Sequence, residues 1–396
     1  MKEFQINDYI TLKLEEGKTN IYVAGELFNQ CKFLLLNIPI KEISALSEIK
    51  SVDEAAENLS KEMEGNVSPW AEKKIKRIEI PPETEFWAHC SNLQVWSEHN
   101  YDTRLIHSNL AFPLLKKLTE VGDPLAKRVF REEIAKRLER GYWPVIEFLI
   151  EGEYTDYLSR EEFLQCILED ENEINFLREI EKRNDITFYL EKDLSGEYNN
   201  FTVRDRHVVG LCIDSLKVES VLPSFSYIES LEELILINSG ILHLPDSICK
   251  LNFLLKLNLL GNNLKTLPYC IGYLKNLEEL DLENNQIDEL PQSFENLKSL
   301  KELYLGHNEF TEVPKELNKL TNLEKLRLNS NQIHSVSNLG NLNFLKFLDL
   351  SRNMIKELPE SILKLQNLKR IVLRKNLIEE RPIIKKKKND EIEIIL

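Results

Sequence analysis

The sequence lacks the hydrophobic segments that a membrane-spanning or secreted protein needs. None of its 396 residues lies in an uninterrupted apolar stretch of the about 18 residues that a membrane helix requires, so we expect no membrane span. No apolar run of the kind found in secretory signals follows the N-terminal MKEFQINDY. Both absences predict a cytoplasmic protein.

Cysteine is scarce and shows no pairing pattern. The six cysteines are scattered along the chain, and no paired-cysteine caps are visible. We therefore expect free thiols in a reducing cytosol. The cysteines are Cys31, Cys90, Cys166, Cys212, Cys249 and Cys270.

An excess of positive charge is also absent. The formal net charge is −15 at pH 7. Residues 231–376 hold 18 basic and 18 acidic side chains, and residues 377–396 hold five of each, so the whole excess lies in residues 1–230. This acidic half argues against nucleic acid and anionic membranes as partners. It suits a basic protein partner, or it serves only to keep the chain soluble.

Recognisable motifs for catalysis or cofactor binding are missing. The tripeptide GKT at 17–19 would belong to a phosphate-binding loop only with a glycine five residues before Gly17, where Leu12 stands. The surrounding YITLKLEEGKTNIYVAG alternates apolar and polar residues, which predicts a β-hairpin with Gly17 in its turn. We expect no cofactor and no enzymatic activity.

What the sequence has in abundance is a 23-residue repeat. The pattern L-x-x-L-x-L-x-x-N-x-L-x-x-L-P recurs at intervals of 23 residues, for example in LLKLNLLGNNLKTLP, LEELDLENNQIDELP and LKELYLGHNEFTEVP. A degenerate copy starts at Val208, with Leu211 and Ile213 in leucine positions. The clear copies start at Leu231, Leu254, Leu277, Leu300, Leu323 and Leu345, and a truncated one starts at Leu368.

Each position of the repeat has a physical role. Leu280 and Leu282 alternate with Asp281, which predicts a strand with its leucines inward. Asn285 ends the strand, where its amide can satisfy backbone groups at the turn. Pro291 suits the start of a short helical turn. Because one unit cannot bury its own leucines, the units must stack into a solenoid with parallel strands on its concave side.

The pattern resembles the LPxxIxxL type of leucine-rich repeat found in intracellular Ras-binding scaffold proteins and in plant Ras-group-related leucine-rich repeat proteins. The resemblance covers about residues 208–380. It implies an α/β horseshoe that binds proteins, and in some relatives a role in small-GTPase signalling.

The chain ahead of the repeats shows no fixed period. Outside the repeats we expect an apolar strand at 33–39, a helix at 51–65 and a last strand in the C-terminal EIEIIL, which follows Lys385–Lys388. Four parts are predicted for the whole chain. The parts are a small α+β segment with the hairpin at 1–80, a helical region at 81–205, a solenoid of seven to eight repeats at 206–380 and a charged tail at 381–396.

Helical periodicity begins near Pro81. Asp123 is expected to cap a helix that starts at Pro124 and ends before Gly141. Shorter helices are predicted in WPVIEFLIEG and SREEFLQCILED. By analogy alone, such successive short helices suggest paired helical layers like those of armadillo or HEAT repeats. The apolar stripe predicted for the capped helix is Leu125, Val129, Ile134 and Leu138.

Residues 81–113 are unusually rich in aromatic residues, histidine and cysteine. The segment resembles one in uncharacterised archaeal leucine-rich repeat proteins, a resemblance that carries no activity. Cys90 with His99 or His107 could form a nucleophile and base, and the same residues with His89 could bind zinc, although the spacing matches no standard signature. The alternatives are an aromatic core or a second protein interface. The interface candidates are Trp87, Trp96, Tyr101 and Arg104.

The outward strand positions supply the main candidate site. Along the repeats this face runs from apolar through acidic to basic, over about 25–30 Å at about 4.8 Å per strand, which fits a protein partner better than a metabolite. A solvated strand face with mixed polar residues is the simpler alternative. The candidate protein-binding residues are Asp281, Glu283, Tyr304, His307, Arg327, Asp349 and Arg352.

Two functions therefore remain open. The first is a non-enzymatic scaffold or adaptor whose repeats bind a protein partner. The second is an enzyme or signalling switch in the N-terminal half, with the repeats as substrate receptor. An intact nucleotide loop, catalytic triad or zinc signature would favour the second, and the sequence shows none.

Overall fold

The computed structural model describes residues 2–29, 80–216, 225–363, 365–379 and 392–396. The chain forms two compact units, Met1–Arg160 and Glu161–Leu396. Three predictions lie outside the described residues: the helix at 51–65, the apolar strand at 33–39 and the free thiol of Cys31. No helix in the part that is described is both long and apolar enough to cross a membrane.

The first unit begins with a four-stranded antiparallel sheet in the order β1-β2-β3-β4. Leu12 lies opposite Ile21 in the central pair, and Gly17 has a φ of +75° in the turn between them. The predicted hairpin and its turn glycine are confirmed. The strands are β1 (Lys2–Gln5), β2 (Ile10–Glu15), β3 (Lys18–Val23) and β4 (Glu26–Leu27).

Helices complete this unit. The Asp123 carboxylate accepts hydrogen bonds from the backbone N–H groups of Leu125 (2.9 Å) and Ala126 (3.1 Å), which confirms the predicted cap. The helices are α1 (Pro82–Glu98), α2 (Ser108–Glu120), α3 (Pro124–Glu139) and α4 (Trp143–Glu151).

The buried face of α3 differs from the predicted stripe. Phe130 is fully buried and packs against Phe112, with ring centroids 5.0 Å apart. This rotates the apolar face, so Leu125 and Val129 lie at its half-buried edge and that part of the prediction is wrong. The buried residues of α3 are Ala126, Phe130, Ile134 and Leu138.

The second unit contains an 11-stranded sheet whose strands run in sequence order from β5 to β15. From β7 onward every neighbouring pair of strands is parallel, which confirms the α/β solenoid and the last strand in EIEIIL. The repeat strands are β7 (His207–Asp214), β8 (Glu233–Ile237), β9 (Lys256–Asn258), β10 (Glu279–Asp281), β11 (Glu302–Tyr304), β12 (Lys325–Arg327), β13 (Phe347–Asp349), β14 (Arg370–Val372) and β15 (Glu393–Ile395).

The N-terminal edge of the sheet extends beyond the degenerate repeat. Leu211 of β7 lies opposite Leu234 of β8, as the repeat pattern predicted. β6 (Asn200–Arg204) then pairs antiparallel with β7, and β5 (Tyr189–Leu190) pairs parallel with β6. The helices of this unit are α5 (Arg160–Ile167), α6 (Glu171–Asn184) and α7 (Glu360–Leu363).

A buried asparagine ladder joins consecutive repeats. The Asn308 amide donates to the carbonyl of Leu282 in the preceding repeat (2.8 Å) and to that of Leu305 in its own (3.2 Å). Its side-chain oxygen accepts from the Ile287 N–H at 3.0 Å. The predicted role of this column is confirmed, since the same pattern recurs at Asn262, Asn285, Asn331, Asn353 and Asn376.

The position before each of these six ladder residues, and the equivalent position before Ser239, has a left-handed backbone, with φ between +51° and +71°. This conformation turns the chain out of the strand and aims the next side chain inward. We call these residues the left-handed column. They are Asn238, Gly261, Asn284, His307, Ser330, Arg352 and Lys375.

The expectation of free thiols is wrong for two cysteines. Cys249 and Cys270 form a disulfide with their Cα atoms 5.7 Å apart. They lie in the short helical turns Asp246–Lys250 and Tyr269–Tyr273 of consecutive repeats, which stack on each other. Among the described residues the free cysteines are Cys90, Cys166 and Cys212, all buried.

Candidate functional site

The sheet register brings the predicted strand residues together on one face. Tyr304 lies between Asp281 on one neighbouring strand and Arg327 on the other, and Arg327 lies opposite Asp349. This alignment follows from the repeat period, because each strand pairs with the copy of itself one repeat along the chain.

Tyr304, the central aromatic residue, is already well packed in the free chain and is only 9% exposed. Its hydroxyl donates to the Glu302 carboxylate and accepts a 2.7 Å hydrogen bond from the Lys325 Nζ. The Lys325 Nζ lies 4.7 Å, and the Arg327 guanidinium carbon 5.3 Å, from the ring centroid. Tyr304 therefore holds two cations in place on the face.

The acidic part of the face is incompletely neutralised. The Asp281 carboxylate accepts a 2.8 Å hydrogen bond from the Glu283 N–H. Burial raises the pKa of Asp281 to about 6, and the charges of Glu283 and Glu279 add to the rise, while Arg327 opposes it. The Arg327 guanidinium is 4.0 Å from the Glu283 carboxylate, which is an ion pair without a hydrogen bond.

Polar atoms without a hydrogen-bond partner cluster at this place. Within the described parts of the chain, four buried side-chain atoms on the strand face have none. They are Glu283 Oε1, Arg327 Nε, Asn329 Oδ1 and Ser330 Oγ. Buried polar groups in folded proteins are nearly always paired, so these four atoms mark a part of the strand face whose hydrogen bonding the chain itself leaves incomplete.

The remaining candidates lie toward the basic end. The Asp349 carboxylate accepts from the Ser351 N–H (2.9 Å) and hydroxyl (2.6 Å). His307 and Arg352 are exposed and belong to the left-handed column. All seven predicted residues thus lie on, or directly after, the strands β10 to β13.

The apolar end of the face differs from the sequence expectation. Ile235 and Ile237 are each only 9% exposed, and they pack with Cys212, Leu194 and Leu260. This end is therefore closed by the chain itself. Sequence reasoning missed Leu194 because it lies in a loop outside the repeats, and repeat spacing cannot place such a residue.

The aromatic segment of the first unit is mainly core. Trp96 is fully buried and Tyr101 is 3% exposed, with its hydroxyl donating to Asp123 at 2.6 Å. Trp87 is 50% exposed, and Arg104 is exposed in a 2.9 Å hydrogen bond to Asp102. Of the four interface candidates, only Trp87 and Arg104 reach the surface.

The histidines and Cys90 do not form a common centre. His89 and Cys90 are buried on α1, where burial lowers the pKa of His89 and raises that of Cys90 to about 11. A thiol with that pKa is protonated at neutral pH and is a poor nucleophile. The His99 Nδ1 lies 2.8 Å from the Val95 carbonyl oxygen, and the His107 ring nitrogen accepts from the Asn109 N–H.

Among the residues that the structure describes, no group of three or more histidine, cysteine, aspartate or glutamate side chains is positioned to hold a metal ion.

Comparisons with known proteins agree with the repeat architecture. Residues 212–337 match the model of a leucine-rich repeat region, and residues 344–365 match that of a single leucine-rich repeat. Neither model describes an enzyme family. A search of curated proteins finds no match.

Solved structures with some likeness include two bacterial proteins. A leucine-rich repeat protein of Leptospira interrogans is 29% identical, with a TM-score of 0.41, over 48% of this chain and 53% of that one. An internalin of Listeria monocytogenes is 20% identical, also with a TM-score of 0.41, over 55% of this chain and 60% of that one. The chain thus spans little more than half the length of either protein.

Leucine-rich repeat domains generally mediate protein–protein interaction, and they use the extended concave surface for it. The matched residues, the parallel strands and the asparagine ladder occupy the same part of the chain. From β7 onward, the protein is a leucine-rich repeat solenoid.

Proposed function

We propose that the protein is a non-enzymatic scaffold or adaptor that binds a protein partner on the concave face between Asp281 and Arg352. One observation carries the proposal: four buried polar atoms without a hydrogen-bond partner, on Glu283, Arg327, Asn329 and Ser330, lie on that face. A partner that pairs these atoms removes a desolvation cost of about 1–3 kcal/mol for each.

The chemistry of these atoms describes the partner. Glu283 and Asn329 present oxygens that need donors, while Arg327 presents an N–H that needs an acceptor. A partner surface with a lysine or arginine beside a carboxylate or backbone carbonyl meets both requirements. Alternating hydrogen-bond donors and acceptors of this kind are typical of protein surfaces, which supports a protein partner over a single small anion or cation.

Small GTPases are the partner class to test first. The resemblance of the repeats to those of Ras-binding scaffold proteins implies that class, and it supports the proposal of a role in intracellular signalling. We also propose a cytoplasmic location. The Cys249–Cys270 disulfide weighs against it, so trapping the thiols by alkylation during cell lysis decides this part of the proposal.

The binding test uses the intact chain as bait with Arg327→Glu as the disrupting variant. The matched control is Lys315→Glu, the same charge reversal at an exposed position in the helical turn Lys315–Lys319, away from the strands. A partner retained by the wild type and the control but lost by Arg327→Glu supports the proposal. Equal retention by all three overturns the assignment of the concave face.

The partner class is tested separately with purified small GTPases loaded with GDP or a non-hydrolysable GTP analogue. Binding that Arg327→Glu abolishes supports a GTPase partner. If no GTPase binds while a partner from the first experiment still depends on Arg327, the small-GTPase assignment fails and the scaffold function stands.

A further inference from the structure

An exposed apolar surface lies where the chain enters β9. Phe253 and Leu255 stand on either side of the buried Leu254, and Phe253 is 61% exposed. Tyr227 and Tyr273, both exposed, end the short helical turns of the repeats before and after that of Phe253. We call Tyr227, Phe253, Leu255 and Tyr273 the Phe253 patch.

The repeat geometry brings these side chains to one place. Tyr227, Lys250 and Tyr273 follow one another at intervals of 23 residues, so they occupy equivalent positions in three consecutive helical turns. Equivalent positions in neighbouring repeats of a solenoid lie directly beside one another. The chain reverses immediately after Lys250, where the Asn252 N–H donates to the Lys250 carbonyl at 2.8 Å. Phe253 is the next residue, so it lies beside this column.

The backbone beneath the patch is cross-linked. The Cys249–Cys270 disulfide joins the two helical turns that carry Lys250 and Tyr273. This part of the surface is therefore held in one arrangement before a partner binds, which lowers the entropic cost of binding.

The position of Phe253, the last in its repeat, has a structural role elsewhere in the solenoid. In later repeats the side-chain amides of Asn276, Asn322 and Asn367 each donate to a backbone carbonyl 24 residues earlier, at 2.6–2.8 Å. Phe253 cannot make this bond, and it exposes its ring instead. A residue that breaks a local rule without a gain in packing indicates a functional site.

Two further columns become apolar at the same repeats. Leu255 is the second residue of its repeat, where the other clear repeats have charged residues, as in the 2.7 Å ion pair of Lys301 with Glu278. The column of Tyr227 and Tyr273 continues with polar residues in the next two repeats. These are Asn296 and Lys319. Single exposed apolar residues are common on protein surfaces, but three columns that become apolar together form a patch.

The charges around the patch are mainly basic. Lys250 and Lys275 are exposed, and neither forms an ion pair with a carboxylate of the described residues. The neighbouring carboxylates of Glu232 and Glu278 are already held in ion pairs. Only Glu229, on the side of the first repeat, offsets the two lysines. The patch therefore combines exposed aromatic rings with a net positive charge, which attracts an anionic ligand.

We propose that the Phe253 patch binds an acidic segment of a protein partner. One aromatic or aliphatic side chain of the segment packs on Phe253 between the two tyrosines, and its carboxylates reach Lys250 and Lys275. Exposed aromatic residues are typical anchors of protein interfaces. The backbone positions of Tyr227 and Tyr273 are two repeats apart, or at least about 10 Å at the spacing of parallel strands, which suits a short segment.

The acidic N-terminal half of the chain favours this partner over other anionic ones. Its excess of negative charge repels nucleic acid and anionic membranes, which are extended polyanions, whereas a short segment brings only a few carboxylates. The patch precedes the strands that carry Asp281 to Arg352, so this inference goes beyond the proposed function and stands independently of it.

The binding experiment titrates fluorescein-labelled DELFDELFD with the intact chain and follows fluorescence anisotropy. Binding should be saturable, and it should weaken as salt is added because it depends on the lysines. The peptide KKLFKKLFK reverses the charges, DESSDESSD lacks the apolar anchors, and neither should bind. No saturable binding of the first peptide, or equal binding of all three, overturns the proposal.

The variant Phe253→Asn assigns the binding to the patch. It removes the ring and supplies the amide that later repeats have, so the chain should fold while the affinity for DELFDELFD falls at least about tenfold. The matched control is Phe344→Asn, because Phe344 is an exposed phenylalanine at the end of another repeat, outside the patch. Equal affinities of the two variants overturn the assignment. If Phe253→Asn lowers the melting temperature, Lys250→Glu decides by the same criterion.

Two other occupants are separate outcomes of the test. Sedimentation equilibrium of the wild type detects self-association, and co-sedimentation with phosphatidylcholine–phosphatidylserine vesicles detects membrane binding. If either is observed and is abolished by Phe253→Asn while DELFDELFD does not bind the wild type, the patch is a surface for a second copy or for a membrane and the proposal fails.

Discussion

The carboxylate of Glu173 on α6 accepts a 3.0 Å hydrogen bond from the backbone N–H of Val208 at the start of the first repeat strand. Glu173 is 2% exposed, and its second oxygen lies 3.4 Å from the His207 ring. Burial raises the pKa of this carboxyl, while the hydrogen bond from Val208 and the nearby His207 oppose the rise. A helix that precedes the repeats thus completes the edge of the sheet.

This contact changes the expected effect of N-terminal truncation. A chain that starts at Leu231 should aggregate, because it exposes the leucines of β8. A chain that starts at Glu161 keeps α6, β5, β6 and β7 and should stay monomeric. Size-exclusion chromatography distinguishes the two outcomes, and equal monomer yields would show that the cap is dispensable.

A start at Asn199 retains the β6–β7 hairpin but removes Glu173. The structure predicts intermediate behaviour, since the Val208 N–H loses its acceptor and the rings of Phe176 and Phe225, 6.1 Å apart, are separated. A melting temperature equal to that of the Glu161 start would contradict this expectation.

Asn308→Ala should destabilise the solenoid by about 1–3 kcal/mol, because it leaves buried backbone groups of two repeats without partners. Chemical denaturation of the second unit measures the loss. Asn263→Ala, at an exposed position, is the matched control and should change stability little. Equal midpoints for the two variants would mean that the ladder does not stabilise the fold.

Asp281→Asn should stabilise the protein at neutral pH. The folded-state pKa of Asp281, about 6, lies above its ordinary value of 3.8, so the folded chain binds more protons than the unfolded chain between these values. Ionisation of Asp281 therefore lowers the stability as the pH rises through this window. Replacing it should add roughly 1 kcal/mol at about pH 7.5, allowing for solvent screening of a half-buried group.

The pH dependence is the test of that prediction. The gain in melting temperature should shrink as the pH falls through this window and should approach zero at about pH 3, below both pKa values, where Asp281 is mostly protonated in both states. Asp349→Asn, in the same column, is the matched control for losing an aspartate. A gain for Asp281→Asn that is constant with pH would show that its charge is not the cause.

Reduction of the Cys249–Cys270 disulfide should lower the stability of the solenoid. The bond closes a segment with a sequence separation of 21 residues, for which chain-entropy arguments give about 3 kcal/mol. Melting curves with and without reductant measure the change. The double variant Cys249→Ser/Cys270→Ser should match the reduced protein and show no response to reductant.

Thiol titration under denaturing conditions provides an independent check. Adding reductant should raise the number of reactive thiols by the two in this disulfide. A protein purified without reductant that already shows all six thiols would contradict the bond.

The repeat period allowed most of the second unit to be predicted. Because strands one period apart pair directly, the spacing alone places Tyr304 beside Asp281 and Arg327. The period also explains the asparagine ladder. It could even have located the disulfide, since Cys249 and Cys270 lie in equivalent turns at a separation two residues short of one repeat.

Features from non-repeating segments could not be predicted in the same way. Leu194 and Glu173 reach the repeats through tertiary packing that no spacing in the sequence encodes. Trp96 was assigned to a possible interface because composition cannot distinguish a buried aromatic residue from an exposed one. The missing hydrogen bonds of Glu283 and Arg327 likewise become apparent only when neighbouring side chains are placed.

The left-handed column restricts how this surface can evolve or be engineered. Each of its positions adopts a positive φ, which β-branched side chains tolerate poorly. The seven residues found there include no valine, isoleucine or threonine. New binding specificity is therefore most accessible through the strand positions around Tyr304, where any residue type fits the backbone. At the left-handed column, the tolerated residue types are limited to glycine, asparagine and other residues without a β-branch. If a library randomised all outward positions equally, many of its members would misfold and could not be tested for partner binding.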